Sequence, residues 1–270
     1  MRILIATGGA PHSDAALRLG GYIAEGTGAL VTLLTVIKKE AMRVQAESIL
    51  KRAVTLLPAR VELQTKIRSG QPAEQIVREA RETNQDLLIL GERVHHSLAK
   101  RILAPTLQRV LEQMPCPVLI ARGQVRPPKR VLLCESGRDP SLLNRLIGQL
   151  KPLLAAAETV TVLHVMSQMA AGPGVHDWEL RAGAEELIEE HTLEGELLEE
   201  VLERLAQLHV HLEAKVRHGL VVQEILEEAR SGDHDLVVIG SHQGSRWERF
   251  LLDDLAQEII DHADRPVLVV

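Results

Sequence analysis

The residues of this chain whose types could carry chemistry are few. Ser13 stands beside His12 and Asp14, and Ser241 beside His242, which are the residue types of an activated nucleophile. Nucleophilic catalysis needs a base within reach of the hydroxyl and a third group that orients the base. Neither cluster has a separate base and orienting acid, and a Ser-Asp pair is the normal start of a helix. His95-His96 could bind a metal or titrate near neutral pH, although neighbouring histidines in a loop are more often solvated. His209 and His211 flank Val210 in an expected strand, which would turn both rings to one face of a sheet. No carboxylate or cysteine at ligand spacing supports them as metal ligands, so a polar, exposed face is expected. Cys116 and Cys134 are too few for a disulfide framework and read as buried, reduced thiols. The expectation is a protein without a catalytic residue set or a metal site, and therefore not an enzyme.

The elements that position these residues follow from length, composition and an internal repeat. A chain of 270 residues exceeds the usual single-domain size, and 45% apolar with 25% charged residues is ordinary for a globular protein. No apolar run reaches the roughly 18 residues of a membrane span, and MRILIATGGAPHSD lacks the hydrophobic region and cleavage site of a signal peptide. A cytoplasmic protein that does not engage membranes is expected. A net charge of −6 argues against nucleic acid as a partner, because phosphate contacts need clustered Lys and Arg. With Tyr22, Trp178, Trp247 and Phe250 as its aromatic residues, the chain has no platform for stacking successive bases.

Comparing the chain with itself decides the architecture. IRSGQPAEQIVREARETNQDLLILG, residues 67–91, lies without a gap over VRHGLVVQEILEEARSGDHDLVVIG, residues 216–240, at a shift of 149. The same shift carries PVLIA (117–121) onto PVLVV (266–270), whereas RILIATGG from Arg2 matches RVLLCESG from Arg130 at a shift of 128. The second copy therefore holds about 21 extra residues, expected around residues 167–183, where Gly and Pro interrupt any periodicity. The copies span 1–122 and 130–270, joined by a Pro-rich linker at 123–129.

In the first copy RILIAT, LVTLLTVI, VELQTKI, DLLILG and CPVLIA read as short, largely apolar strands of a parallel sheet covered on both faces. Helical patterns alternate with them. One begins at Ser13 as an N-cap, and another at Pro72 in a first turn. Residues 185–208 form an acidic helix with apolar residues spaced by three and four and glutamates toward solvent. Alternating strands and helices imply right-handed crossovers and an α/β, doubly wound sheet, which binds ligands beyond the carboxyl ends of its strands.

The segments DLLILGERVHHSLAKRILAPTLQRVLEQMPCPVLIA and DLVVIGSHQGSRWERFLLDDLAQEIIDHADRPVLVV resemble the closing part of universal stress protein domains. The resemblance covers nearly the whole chain twice. It implies two tandem, Rossmann-like, adenine-nucleotide-hydrolase-like domains, each with a five-stranded parallel sheet, in a family divided between members that bind ATP and members that do not. It also implies pairing through the last strand, an edge that would otherwise invite aggregation. In a tandem chain that would set Val118 and Ile120 beside Val267 and Val269, with a homodimer of the whole chain as the family's further expectation.

The ATP-binding members are similar in carrying Gly-x-x-Gly, nine residues, and then Gly-Ser or Gly-Thr. The glycines let backbone N–H groups approach phosphates, and the hydroxyl and helix start complete the anion site. Matched to that pattern, the first copy has Gly91, then Val94, then Ala104-Pro105, where Pro105 removes a donor. The second copy has Gly240, then Gln243 with Gly244 one residue late, then Asp253-Asp254, whose carboxylates would repel a triphosphate. The family's acidic residue after the first strand falls on Gly8 and on Ser136, with Glu135 adjacent to the latter. Both ATP motifs are therefore degraded. A remnant of Ser136, Gly137, Gly240, Ser241, His242, Gly244 and Ser245 in the second copy could cradle a smaller anion or an adenine nucleotide such as AMP. On the bland alternative Gly240 only ends a strand and the serines cap the next helix. The function expected is a non-enzymatic stress-response protein that binds a ligand or a protein partner. The alternative is an adenine-nucleotide sensor, or a weak nucleotide hydrolase, working from the second copy.

Overall fold

The computed structural model describes residues 1–92, 104–136, 142–167, 178, 181–240 and 254–270. Runs such as Ile3-Leu4-Ile5 and Leu87-Leu88-Ile89 offer water no polar face, and every one of these side chains is fully buried. They lie in β1 (Arg2–Ala6) and β4 (Leu87–Gly91). With β2 (Leu30–Ile37), β3 (Leu63–Ser69) and β5 (Val118–Ala121), these strands form a parallel sheet in the order β3-β2-β1-β4-β5. The crossovers are α1 (Pro11–Thr27), α2 (Arg43–Val54), α3 (Pro72–Glu82) and α4 (Pro105–Gln113).

The second copy repeats the pattern. Strands β6 (Arg130–Cys134), β7 (Thr159–Met166), β8 (His211–His218) and β9 (Leu236–Ile239) run parallel in the order β9-β6-β7-β8. Its helices are α5 (Leu142–Ala155), α6 (Ala184–Glu189), α7 (Leu193–Ala206), α8 (Val221–Ser231) and α9 (Asp254–His262), and β10 (Val267–Val269) follows. By contacts, one unit gathers Met1–Pro127 and Ala263–Val270, and the other Pro128–Gly240 and Asp254–His262. The first unit thus takes in β10, which pairs antiparallel with β5, Val267 opposite Ile120 and Val269 opposite Val118. This is the pairing of last strands that the family resemblance implies, and it covers an edge of β5 that would otherwise present open backbone groups.

The α/β architecture holds, and the second copy has the longer connection between its second and third strands. Residues 38–62 link β2 to β3, while the longer stretch 167–210 links β7 to β8. Four local expectations fail. Ser13 is not an N-cap: α1 begins at Pro11 in its first turn, after Ala10, and Ser13 is buried in that turn. The acidic helix expected over 185–208 is two helices. Between them His191 has a positive φ of 50°, and the Thr192 hydroxyl caps α7 by accepting from the Gly195 N–H at 3.0 Å. His209 lies outside β8, also at positive φ, so it does not share a sheet face with His211. The exposed His211 ring lies 3.3 Å from Glu213. Cys116 and Cys134 are free and half-buried rather than fully buried. Loss of solvation pushes the Cys116 thiol up to about 12 and the Cys134 thiol higher still, so neither is a thiolate at neutral pH.

Candidate functional site

In each unit the strand order reverses between the first and fourth strands of the copy, β1 and β4 or β6 and β9, and their carboxyl ends frame the crevice where such sheets bind ligands. In the first unit the described strand ends are packed against protein. Thr7 follows β1 and is buried; its N–H donates to Leu34 O, its carbonyl accepts from the Thr35 hydroxyl at 3.0 Å, and its own hydroxyl accepts from the Gly9 N–H. At the end of β4, a methyl group built on Gly91 would lie 2.1 Å from the carbonyl oxygen of His12. Gly91 is a glycine because the first turn of α1 rests on it, which a phosphate cradle does not require. The next residue, Glu92, is buried. Its N–H bonds Ala121 O, and its carboxylate lies 3.5 Å from the buried guanidinium of Arg122. Helix α4 then opens on Ala104-Pro105 with no side-chain cap, so its first turn has one N–H fewer to offer an anion.

In the second unit, Glu135 occupies the place after β6 that Thr7 holds after β1, and it is buried. Its Oε1 accepts from the Ser136 N–H at 3.0 Å, and its carbonyl oxygen lies 3.1 Å from Nδ1 of His164. An acceptor carbonyl fixes Nδ1 as the protonated nitrogen of that ring. Ser136 itself is exposed. Since β6 and β9 are neighbours, with Leu133 opposite Val238, Ser136 and Gly240 stand at the same end of adjacent strands. Gly137, Ser241, His242, Gly244 and Ser245 lie outside the described residues, as do Val94, His95, His96 and Asp253. Asp254 opens α9 and is exposed. No group of three or more His, Cys, Asp or Glu with a metal-binding arrangement occurs among the described residues. No described helix is long and apolar enough to cross a membrane.

Reading the sequence missed the charged network behind these crevices. In the first unit Glu79, on α3, is fully buried and receives Lys66 Nζ at 2.8 Å and the Arg68 guanidinium, both from β3. In the second, Glu228 on α8 receives Lys215 Nζ and Arg217 Nε, each at 2.8 Å, from β8. Every member of one trio lies 149 residues from its counterpart. The signal was in the alignment as TKIRSG over AKVRHG and EAR over EAR, but a charge on an expected edge strand reads as solvated until its partner on the crossover helix is known. Burial, the largest influence on Glu228, pushes its carboxyl up, but the hydrogen bonds from Lys215 and Arg217 outweigh it and hold the group below its ordinary value. Arg68 reaches on to Glu82, whose carboxyl is held at about 2 by Arg78 first and Arg68 second.

Comparison with known proteins agrees with this architecture. The sequence profile of the Universal stress protein family matches residues 1–122 and again 129–270. Universal stress protein MJ0531 of Methanocaldococcus jannaschii is 31% identical over 144 residues, which cover 53% of this chain and 81% of that protein. Among solved structures, a universal stress protein from Archaeoglobus fulgidus superposes with a TM-score of 0.75 at 17% identity, covering 99% of this chain and 97% of its own. A functionally unknown protein from Pseudomonas aeruginosa PAO1 gives 0.69 at 19% identity over 100% of this chain and 92% of that one. At such identities the two structures speak for the fold alone. The matched segments, the internal repeat and the two parallel sheets together make this chain a member of the universal stress protein family, with two such domains in tandem.

Proposed function

We propose that this chain serves a stress response without catalysis, by binding a protein partner or a small ligand, and that neither copy keeps a working triphosphate cradle. The observation that carries this reading is the packing of α1 on Gly91 in the first unit. Gly91 supports α1 through the His12 carbonyl, and the residue after it, Glu92, is a buried carboxylate turned to Arg122. In the second unit the buried Glu135 already takes the Ser136 N–H, and Asp254 adds a carboxylate at the start of α9, the helix end an anion would favour. A second reading, a sensor of AMP, ADP or ATP in the second unit, draws on the exposed Ser136 and on Gly240, which stand at the same end of adjacent strands.

Calorimetric titration of the full chain with ATP, ADP and AMP, with and without Mg²⁺, separates the two. The expected outcome is no binding tighter than about 1 mM, roughly 4 kcal/mol of binding free energy. Micromolar binding that Gly240→Val abolishes would establish the sensor and remove the proposal.

A further inference from the structure

Helix α2 and strand β3 of the first unit enclose an open groove of about 520 Å³. Leu50, Val54 and Ile67 form its apolar lining, and Arg43, Glu47 and Lys51 stand along it. Strand β3 is the outer strand of its sheet, and Val44, at the start of α2, is 78% exposed. Residues 38–69, which contain the groove, hold eight Lys and Arg against three Glu. The matching surface lies on the second unit. Residues 184–206 hold nine Glu against one Arg. Leu193, Glu196, Leu197 and Glu200 of α7 recur at spacings of three and four and so share one helix face, which borders the buried face of Leu198, Val201 and Leu205. Leu193 is 82% exposed, the most exposed large apolar side chain among the described residues.

We infer that this groove receives α7 from a second copy of the chain. Leu193 and Leu197 lie over Leu50, Val54 and Ile67, and Glu196 and Glu200 meet Arg43 and Lys51. The pairing is that of an amphipathic helix in a groove, with the apolar contact supplying affinity and the rim charges setting register and partner choice. The occupant is a second copy because the complement of this groove, apolar and acidic at the required spacing, is carried by the chain itself. Made reciprocally, groove to helix and helix to groove, the contact is isologous and closes a dimer; made once, it is heterologous and leaves ends that grow.

Sedimentation equilibrium of the full chain tests this. Self-association is expected at low salt, weakening at least about tenfold between roughly 0.05 and 0.5 M NaCl as the Debye length shortens. Lys51→Glu and Glu196→Lys, both at exposed positions, should each weaken it by a similar factor with unchanged circular dichroism. The double variant, which exchanges the charges, should recover most of the loss. A mass of 29.8 kDa at every concentration and salt would overturn the inference. So would an assembly that neither variant alters, or a double variant no better than the singles.

Discussion

The two copies agree at the carboxylates that brace their sheets and disagree at the strand ends where ligands would sit. Lys66, Arg68 and Glu79 in one become Lys215, Arg217 and Glu228 in the other. Asp86 and Asp235 perform the same task, each accepting the N–H of the arginine that opens its copy, Arg2 at 2.7 Å and Arg130 at 2.9 Å. At the crevices, by contrast, Thr7 faces Glu135 across the alignment, and Glu92 of the first copy has a serine as its counterpart in the second. The difference teaches what each copy has been held to. A charge that ties an outer strand to its crossover helix is kept in both copies, whereas the residues at the strand ends differ between them.

The sharpest way to break the symmetry is to remove one brace. Glu79→Ala would leave Lys66 and Arg68 facing a cavity, and Glu228→Ala would do the same to Lys215 and Arg217. Each is expected to cost about 3 kcal/mol, the lower end for a buried pair that loses one member, because the lysines are partly exposed. Urea unfolding checks this, and equal losses are expected if the two trios are equivalent. A smaller loss at Glu228 would show that His234, 3.4 Å away where the first unit has the neutral Gln85, compensates.

Next in size is Gly91→Ala. The new methyl group would meet the His12 carbonyl oxygen and the Ser13 Cα, at 2.1 and 3.0 Å, and backbone cannot yield as a side chain can. A loss of about 2 to 3 kcal/mol is expected. Gly8→Ala, in the same crevice with nothing within 4 Å of the new methyl, should change stability by less than about 0.5 kcal/mol. A Gly91→Ala protein of unchanged stability would mean that this glycine is not held by packing and would reopen the crevice as a site.

How much of this was legible follows from where each signal resides. Apolar runs such as Leu87–Leu90 announce buried parallel strands locally, and the shift of 149 announces the second sheet. The end of a strand is a weaker signal. His209 looked like strand because Val210 follows it, yet the chain leaves α7 through a residue in the left-handed region and enters the sheet two residues later. The break between α6 and α7 follows from a close approach: a methyl group on Gly195 would lie 2.0 Å from Leu187 O, so the chain turns there and Thr192 caps the new helix. The candidate site was least legible of all. Whether Gly91 serves a phosphate or a helix depends on His12, which is 79 residues away in sequence, and the Glu92–Arg122 contact is fixed only when β4 and β5 pair.

The smallest expected effect separates the copies by pH. His234 is buried against Glu228 with Arg130 and Lys215 near, while its counterpart Gln85 is neutral at every pH and donates to the Thr83 hydroxyl at 2.8 Å. Burial, the dominant influence, holds the His234 ring below its ordinary value of 6.5; Glu228 pulls it back only in part. Between the depressed folded value and the unfolded value, the unfolded chain binds the extra proton. Stability is therefore full above pH 6.5 and declines as the pH falls toward the folded value, by at most about 1.4 kcal/mol per pH unit. Glu228, also depressed, adds a second decline once the pH passes below its ordinary 4.5. Trp178 and Trp247 both lie in the second copy, so tryptophan fluorescence reports that copy's unfolding. His234→Gln should flatten the fluorescence-detected stability between pH 6.5 and 5 and leave the decline below 4.5 in place. If the slope between pH 6.5 and 5 persists in that variant, the proton goes elsewhere and the acid difference between the copies does not originate at this pair of positions.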